Sequence, residues 1–270
     1  MNRDRILLFT GLTIVTLLLL LSLIGPYLNK WTYYEQTLQR ANEAPGWEYW
    51  FGTDALGRDL FTRVWIGLRI SFIIGIAASL ISVVFGTIYG AIAGYFGGIL
   101  DEVMMKLVEI LYSIPFLIYV ILLLLIMEPG IKTIIIALII VCWLGTARVV
   151  RGEIVRLKEM DFVLAAHSIG ASNWRIIFYH LIPGAAGSII IMLTITIPEV
   201  ILAEAILSFL GLGVSAPKAS LGYLINDGFQ SIRSYPYQLF FPAAVITLVM
   251  LGFNLVADGL RSFIDPTVKK

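Results

Sequence analysis

Glu199 and Glu204 carry the chemistry hardest to accommodate in this chain, because both stand inside an apolar stretch, ITIPEVILAEAILSF, at residues 195–209. An ionised carboxylate in hydrocarbon costs roughly 3 kcal/mol or more unless it is paired or hydrated, so each is either a proton or cation site or a hydrogen-bonded structural group. On a helix the two are about 140° apart and share no face. Glu204 does share a face with Ser208, one turn on, and Asn254 in the last apolar stretch is the polar residue at matching depth that could partner it. The other reactive types are poorly placed for catalysis. His167 and His180 are far apart in one polar loop, away from any carboxylate pair, which is the arrangement of solvated or packed histidines rather than metal ligands. Cys142 is the chain's single cysteine and forms no disulfide within it. The glycine-bearing string GTDALGRD at 52–59 lacks the Lys-Ser/Thr pair of a phosphate cradle, and no nucleophile–base spacing is present. The expectation is a protein that binds or conducts, with no catalytic residue, no metal site and no cofactor of its own.

The elements that must position these groups are membrane spans. Hydrophobic residues make up 59% of the chain and charged ones 14%, with mean hydropathy +0.91. Six stretches reach the length of about 20 residues that crosses a bilayer, approximately 6–24, 70–96, 104–127, 133–150, 188–212 and 239–257. Backbone groups in lipid must be satisfied internally and no period-2 alternation is seen, so these are helices. The predicted fold is all-α, one polytopic transmembrane domain over residues 1–270 in a lipid bilayer. The first stretch, behind Arg3 and Arg5, is longer than a signal-peptide core, lacks a small-x-small cleavage site and is expected to be retained. A net charge of +1 argues against a nucleic-acid partner. Placing both termini in the cytoplasm puts Arg3, Arg5, Lys106, Arg148, Arg151, Arg156, Lys158, Arg175, Arg261, Lys269 and Lys270 inside, against Lys30, Arg40, Arg58, Arg63, Arg69, Lys132, Lys218 and Arg233 outside, which favours that orientation.

Within this frame Gly86, Gly90 and Gly94 form a small-residue stripe at spacing four, which predicts close helix packing. Pro115 predicts a kink in the third span. Asp101, Glu102 and Glu109 near that span's start complement its dipole. The outer segment 26–68 holds Trp31, Tyr33, Tyr34, Trp47, Tyr49 and Trp50, the composition of an interfacial belt. In the same segment Thr53 or Asp54 can cap an outer amphipathic helix with Leu56, Leu60, Val64 and Leu68 on one stripe and Asp59 paired to Arg63. A second outer loop with Pro217 follows the fifth span.

Residues 151–187 form a loop whose centre, DFVLAAHSIGASNWRIIFYHLIP at 161–183, is polar and helical in pattern. Asp161 can cap a first helix, Gly170 can end it in a left-handed turn, and Ser172 or Asn173 can cap a second helix that Pro183 limits. Ala165 and Ala166 offer a small-residue knob that another protein could approach, and Ala171 continues the turn. Read by itself, this could be an ordinary surface loop.

The order Ala165-Ala166, Gly170, Pro183 resembles the EAA loop of permease subunits in binding-protein-dependent ABC importers, with Leu164, His180 and Ile182 where that family has Glu, Ile and Leu. GTDALGRD is similar to the sequence before the second span of C-type permeases of peptide and nickel importers. AEAILSFLGLG at 203–213 resembles their EAALSFLGLG signature, and FNLVADGLRSFIDP at 253–266 their FNLxGDGLRDxLDP ending, with Ala257 for Gly and Ser262 for Asp. The resemblance covers nearly the whole chain. It implies the fold of a type I ABC importer permease in the bacterial cytoplasmic membrane, with cytoplasmic coupling helices at Asp161, Ala165, Ala166, Gly170, Ala171 and Pro183. It implies a homologous B-type permease, two cytoplasmic ATPase subunits that bind ATP and Mg, and an extracellular substrate-binding protein. The implied substrate is a di- or oligopeptide, with nickel or metallophore chelates as the alternative. A stand-alone ion-coupled carrier using Glu199 and Glu204 is the rival from another class, and it leaves the loop unexplained.

Overall fold

The computed structural model describes residues 3–128, 130–213 and 219–264. Pro217, Lys218, Pro266, Lys269 and Lys270 lie outside those residues. Among the described residues five helices are long and apolar enough to cross a membrane: α1 (Arg3–Ile24), α2 (Leu60–Phe96), α5 (Ile131–Leu157), α9 (Ala186–Phe209) and α11 (Tyr237–Ile264). Counted as one bent span, the next two helices make a sixth crossing. Helices α3 (Gly98–Ser113) and α4 (Phe116–Leu124) meet at 79°, so the expected kink is a full break. Pro115 explains it, since the ring removes a helical N–H and forces Ile114 into extended backbone, φ −80° and ψ 126°.

Helix α2 is the longest, at 37 residues. The separate outer amphipathic helix does not exist, because its predicted residues from Leu60 onward are the first turns of α2. Asp59, not Thr53 or Asp54, caps it, accepting from the Thr62 amide at 2.8 Å. Arg63 reaches back to Asp54 rather than pairing with Asp59, and Leu56 falls in the turn before the helix. No proline interrupts the run from Leu60 to Phe96, so nothing stops the helix from continuing into the bilayer.

Two glycine seams set the bundle. A Cβ at Gly86, Gly90 or Gly94 would lie 2.6, 2.4 or 2.8 Å from the carbonyl oxygens of Trp143, Ala147 and Arg151, so α2 and α5 touch backbone to backbone. Arg151 also forks onto Asp101 of α3, so that carboxylate serves an ion pair as well as the helix start. The second seam joins α1 to α11 at Gly11, Gly252 and Gly259, where a Cβ would meet Val256, Val15 and Leu8.

At one end of the bundle, residues 25–59 fold into a cap. The predicted aromatic belt is partly a packed structure: Tyr49 is buried and stacks on Trp31 with ring centroids 4.8 Å apart, and Phe51 stacks on Phe241 at 3.9 Å. A helix absent from the sequence reading, α10 (Leu221–Gln230), closes the cap from the other side, with the Ser220 hydroxyl at its start. At the opposite end lie α6 (Asp161–Ser168), α7 (Asn173–Ile176), a π-helical turn (Ile177–Leu181) and α8 (Ile182–Gly184).

A helix–glycine–helix loop and a buried carboxylate

The loop is built from its turn outward. Gly170 has φ +81°, and the amides of Gly170 and Ala171 donate to the carbonyls of His167 and Ala166, both at 3.0 Å. That is a Schellman closure, which satisfies carbonyls left open at the end of α6 and demands a residue tolerant of positive φ. Ser172 caps the second helix, accepting from the Arg175 amide at 3.4 Å. Asp161 is not a cap. Met160 holds that position and Asp161 is the first helical residue, where its charge still complements the dipole. Pro183 does not end the second helix either, since it sits at the start of α8 and the path continues through Ala185 into α9. The π turn just ahead of it opens the ladder where the ring would otherwise crowd the preceding carbonyls.

The expected knob of Ala165 and Ala166 is split. Ala166 is buried among Val163, Ile176 and Leu181, and Ala165 alone faces outward. The exposed surface is instead large and apolar: Ile169 is 86% and Tyr179 76% exposed, with Phe162, Leu164, Trp174 and Phe178 also uncovered. Ser172, Trp174, Arg175, Phe178, Tyr179 and His180 line an open groove of about 1110 Å³. The missed signal was that the residues flanking each buried position are themselves bulky and apolar, which a loop wetted on that side does not require.

The loop is tied to the bundle through Tyr95, near the end of α2. Its hydroxyl donates to Asn173 Oδ1 at 2.9 Å and lies 3.3 Å from His167 Nε2, while Phe96 meets Trp174 edge-on. His167 is exposed, with its ring lying parallel to that of Tyr95.

Glu204 is fully buried in α9. Ser208 Oγ, one turn on, donates to it at 2.7 Å and Ser71 Oγ of α2 donates at 2.8 Å, with the Ser220 side chain beside them. The expected partner, Asn254, is exposed on α11 and does not take part. Helix α11 turns Phe253 and Val256 inward at that level, which leaves Asn254 outside. Glu199 is exposed, on the same uncovered side of α9 as Leu202 and Ile206. The carboxylates diverge, as five residues of helix require.

At the cap, Asp54 accepts from the Leu56 and Arg58 amides at 2.9 and 3.0 Å, from Arg58 Nε at 2.7 Å and from Arg63. The string GTDALGRD is thus a turn around one carboxylate. Asp227 of α10 faces the two arginines, but burial outweighs them and pushes its carboxyl above the ordinary range. Gln238, at the start of α11, donates to Asn42 and to the Thr53 carbonyl, both at 2.9 Å, and locks cap to bundle.

A chain from the inward-facing MetNI methionine ABC transporter has the same fold, with TM-score 0.59 at 20% identity over 76% of this chain and 96% of that one. Residues 86–270 match the family described as binding-protein-dependent transport system inner membrane component, and the chain belongs to that family. It is similar to the oligopeptide transport system permease protein OppC of Bacillus subtilis (strain 168), 44% identical over 99% of this chain and 88% of the relative. The dipeptide transport system permease protein DppC of the same organism is 46% identical over 96% and 82%. OppC of Escherichia coli (strain K12) is 41% identical over 95% and 85%.

Proposed function

We propose that this chain is a permease subunit of an ATP-driven importer of di- or oligopeptides, forming the translocation pathway with a homologous permease. The observation that carries the substrate class is the similarity to oligopeptide and dipeptide permeases over nearly the whole chain. The α6–α7 loop is the docking surface for an ATPase subunit, because it joins a rigid Schellman turn to exposed apolar side chains and a groove at one end of the bundle. Two such ATPase subunits bind ATP and Mg, and this chain performs no catalysis. The loop follows the fourth crossing, so it lies on the side from which the chain enters the membrane, here assigned to the cytoplasm. The cap of residues 25–59 and α10 then faces the substrate-binding protein.

Gly170→Val tests the docking role. A β-branched residue at φ +81° is strained, and the turn no longer closes without rearrangement. The chain is expected to reach the membrane in normal amount while peptide uptake and ATPase co-purification fall at least tenfold. Normal uptake would remove the loop from the mechanism.

A further inference from the structure

We infer that the Tyr95 hydroxyl is a positioning group that fastens both helices of the docking loop to α2, so that α2 carries the loop's movement into the bundle as a single rod. The inference rests on the loop being the ATPase docking surface and adds the route by which a displacement leaves it.

Besides the edge-on meeting of Phe96 and Trp174, two kinds of contact join loop and bundle. The first is apolar: Ile176, Ile177 and Leu181 pack on Ala91 of α2 and on Val150, Ile154 and Leu157 of α5. Such contact is non-directional, so the helices can slide or rotate over it at modest cost. The second is the Tyr95 hydroxyl, and it is directional. Its one proton goes to Asn173 Oδ1, and its oxygen lies 3.3 Å from His167 Nε2, where an imidazole carrying its proton on that nitrogen can donate to it. One oxygen therefore holds the last full turn of α6 and the first residue of α7, on either side of the Gly170 reversal. A force that pulls the two loop helices apart, or lifts them together, acts on α2 through this atom.

Helix α2 is suited to carry that force. It continues without proline from Leu60 to Phe96, and the Gly86–Gly90–Gly94 seam lays it directly on the α5 backbone. Roughly 36 Å along it from Tyr95, at ~1.5 Å per residue, Ser71 donates to the buried Glu204 of α9. The loop and the polar centre of the bundle are thus fixed to the same rod.

The test uses the full chain in its assembled complex, reconstituted into vesicles with binding protein, with labelled dialanine and trialanine as probes and ATP turnover measured in parallel. Tyr95→Phe keeps the ring and its packing and removes the hydroxyl. The ATPase subunits are expected to co-purify in normal ratio while peptide moved per ATP falls about fivefold, the scale of one hydrogen bond. Asn173→Leu should do the same, and Asn173→Asp, which keeps an acceptor oxygen for Tyr95, should restore coupling. A merely structural contact would alter yield or melting temperature and leave the peptide-to-ATP ratio unchanged. An unchanged ratio in Tyr95→Phe therefore overturns the inference, as does loss of the ATPase subunits, which would make the hydroxyl a docking group. The docking reading is judged separately by whether Ile169→Cys crosslinks to an ATPase subunit in an otherwise unaltered complex; failure there removes its premise.

Discussion

Glu204 sits among three serine hydroxyls at zero exposure, and that surrounding decides what its side chain is for. Two hydroxyl donors on the carboxylate, from Ser208 and Ser71, stabilise it in place and join α9 to α2 at the level of Ser71. Gln keeps both the size and an acceptor, and a serine hydroxyl can turn to accept from the new amide. Glu204→Gln is therefore expected to retain at least half of transport. Glu204→Leu leaves Ser71 and Ser208 without their acceptor, at about 1–3 kcal/mol for each group left bare. It should lower the melting temperature of the purified complex and its yield. Equal loss in both variants, with uptake following pH through a carboxyl titration, would make the charge itself the functional feature. The Ser208 contact was legible in the sequence because i and i+4 share a helix face. The Ser71 contact was not, since no local pattern pairs positions 133 residues apart.

The α2–α5 seam is the element-scale counterpart. Small residues at spacing four announce that something approaches closely, and here the visitor is the backbone of α5 at Trp143, Ala147 and Arg151. Gly90 is the tightest position, where even a methyl group would stand 2.4 Å from the Ala147 carbonyl oxygen. Gly90→Ala is expected to lower the thermal midpoint by several degrees, and Gly90→Leu to cut the yield of folded chain at least fivefold. Overpacking of this kind costs about 1–3 kcal/mol or more. Normal folding with altered transport would instead place this face on the pathway. The other seam, through Gly11, Gly252 and Gly259, escaped notice because it spreads over the two ends of the chain, where no single helix shows a full stripe.

On the scale of the whole molecule, α2 runs from the cap to the loop and touches what each end presents. Its first turn is anchored by Arg63, whose side chain is 1% exposed and held to Asp54 of the cap. Asp54→Ala would leave that guanidinium and Arg58 without their carboxylate, and breaking a buried pair from one side costs about 3–5 kcal/mol. The expected result is faster proteolysis within residues 25–59 together with a lowered melting temperature; a cap as resistant as before would show that Asp54 is dispensable. Much of this protein was fixed by its sequence alone. Apolar runs of bilayer length admit only helices, because a backbone in lipid must satisfy its own hydrogen bonds. The Gly170 turn followed from backbone sterics, and the four family signatures followed from residue order. Tertiary structure decided the rest. Asp54, Asp59 and Arg63 are close enough in sequence for several pairings, and only the folded cap selects Asp54 for Arg63 and leaves Asp59 to cap α2. Glu204 finds Ser71 rather than Asn254, and Ala166 turns inward while Ala165 does not, because helix rotation is set by the neighbours a helix packs against. Those neighbours come from distant parts of the chain, and a local periodicity carries no record of them.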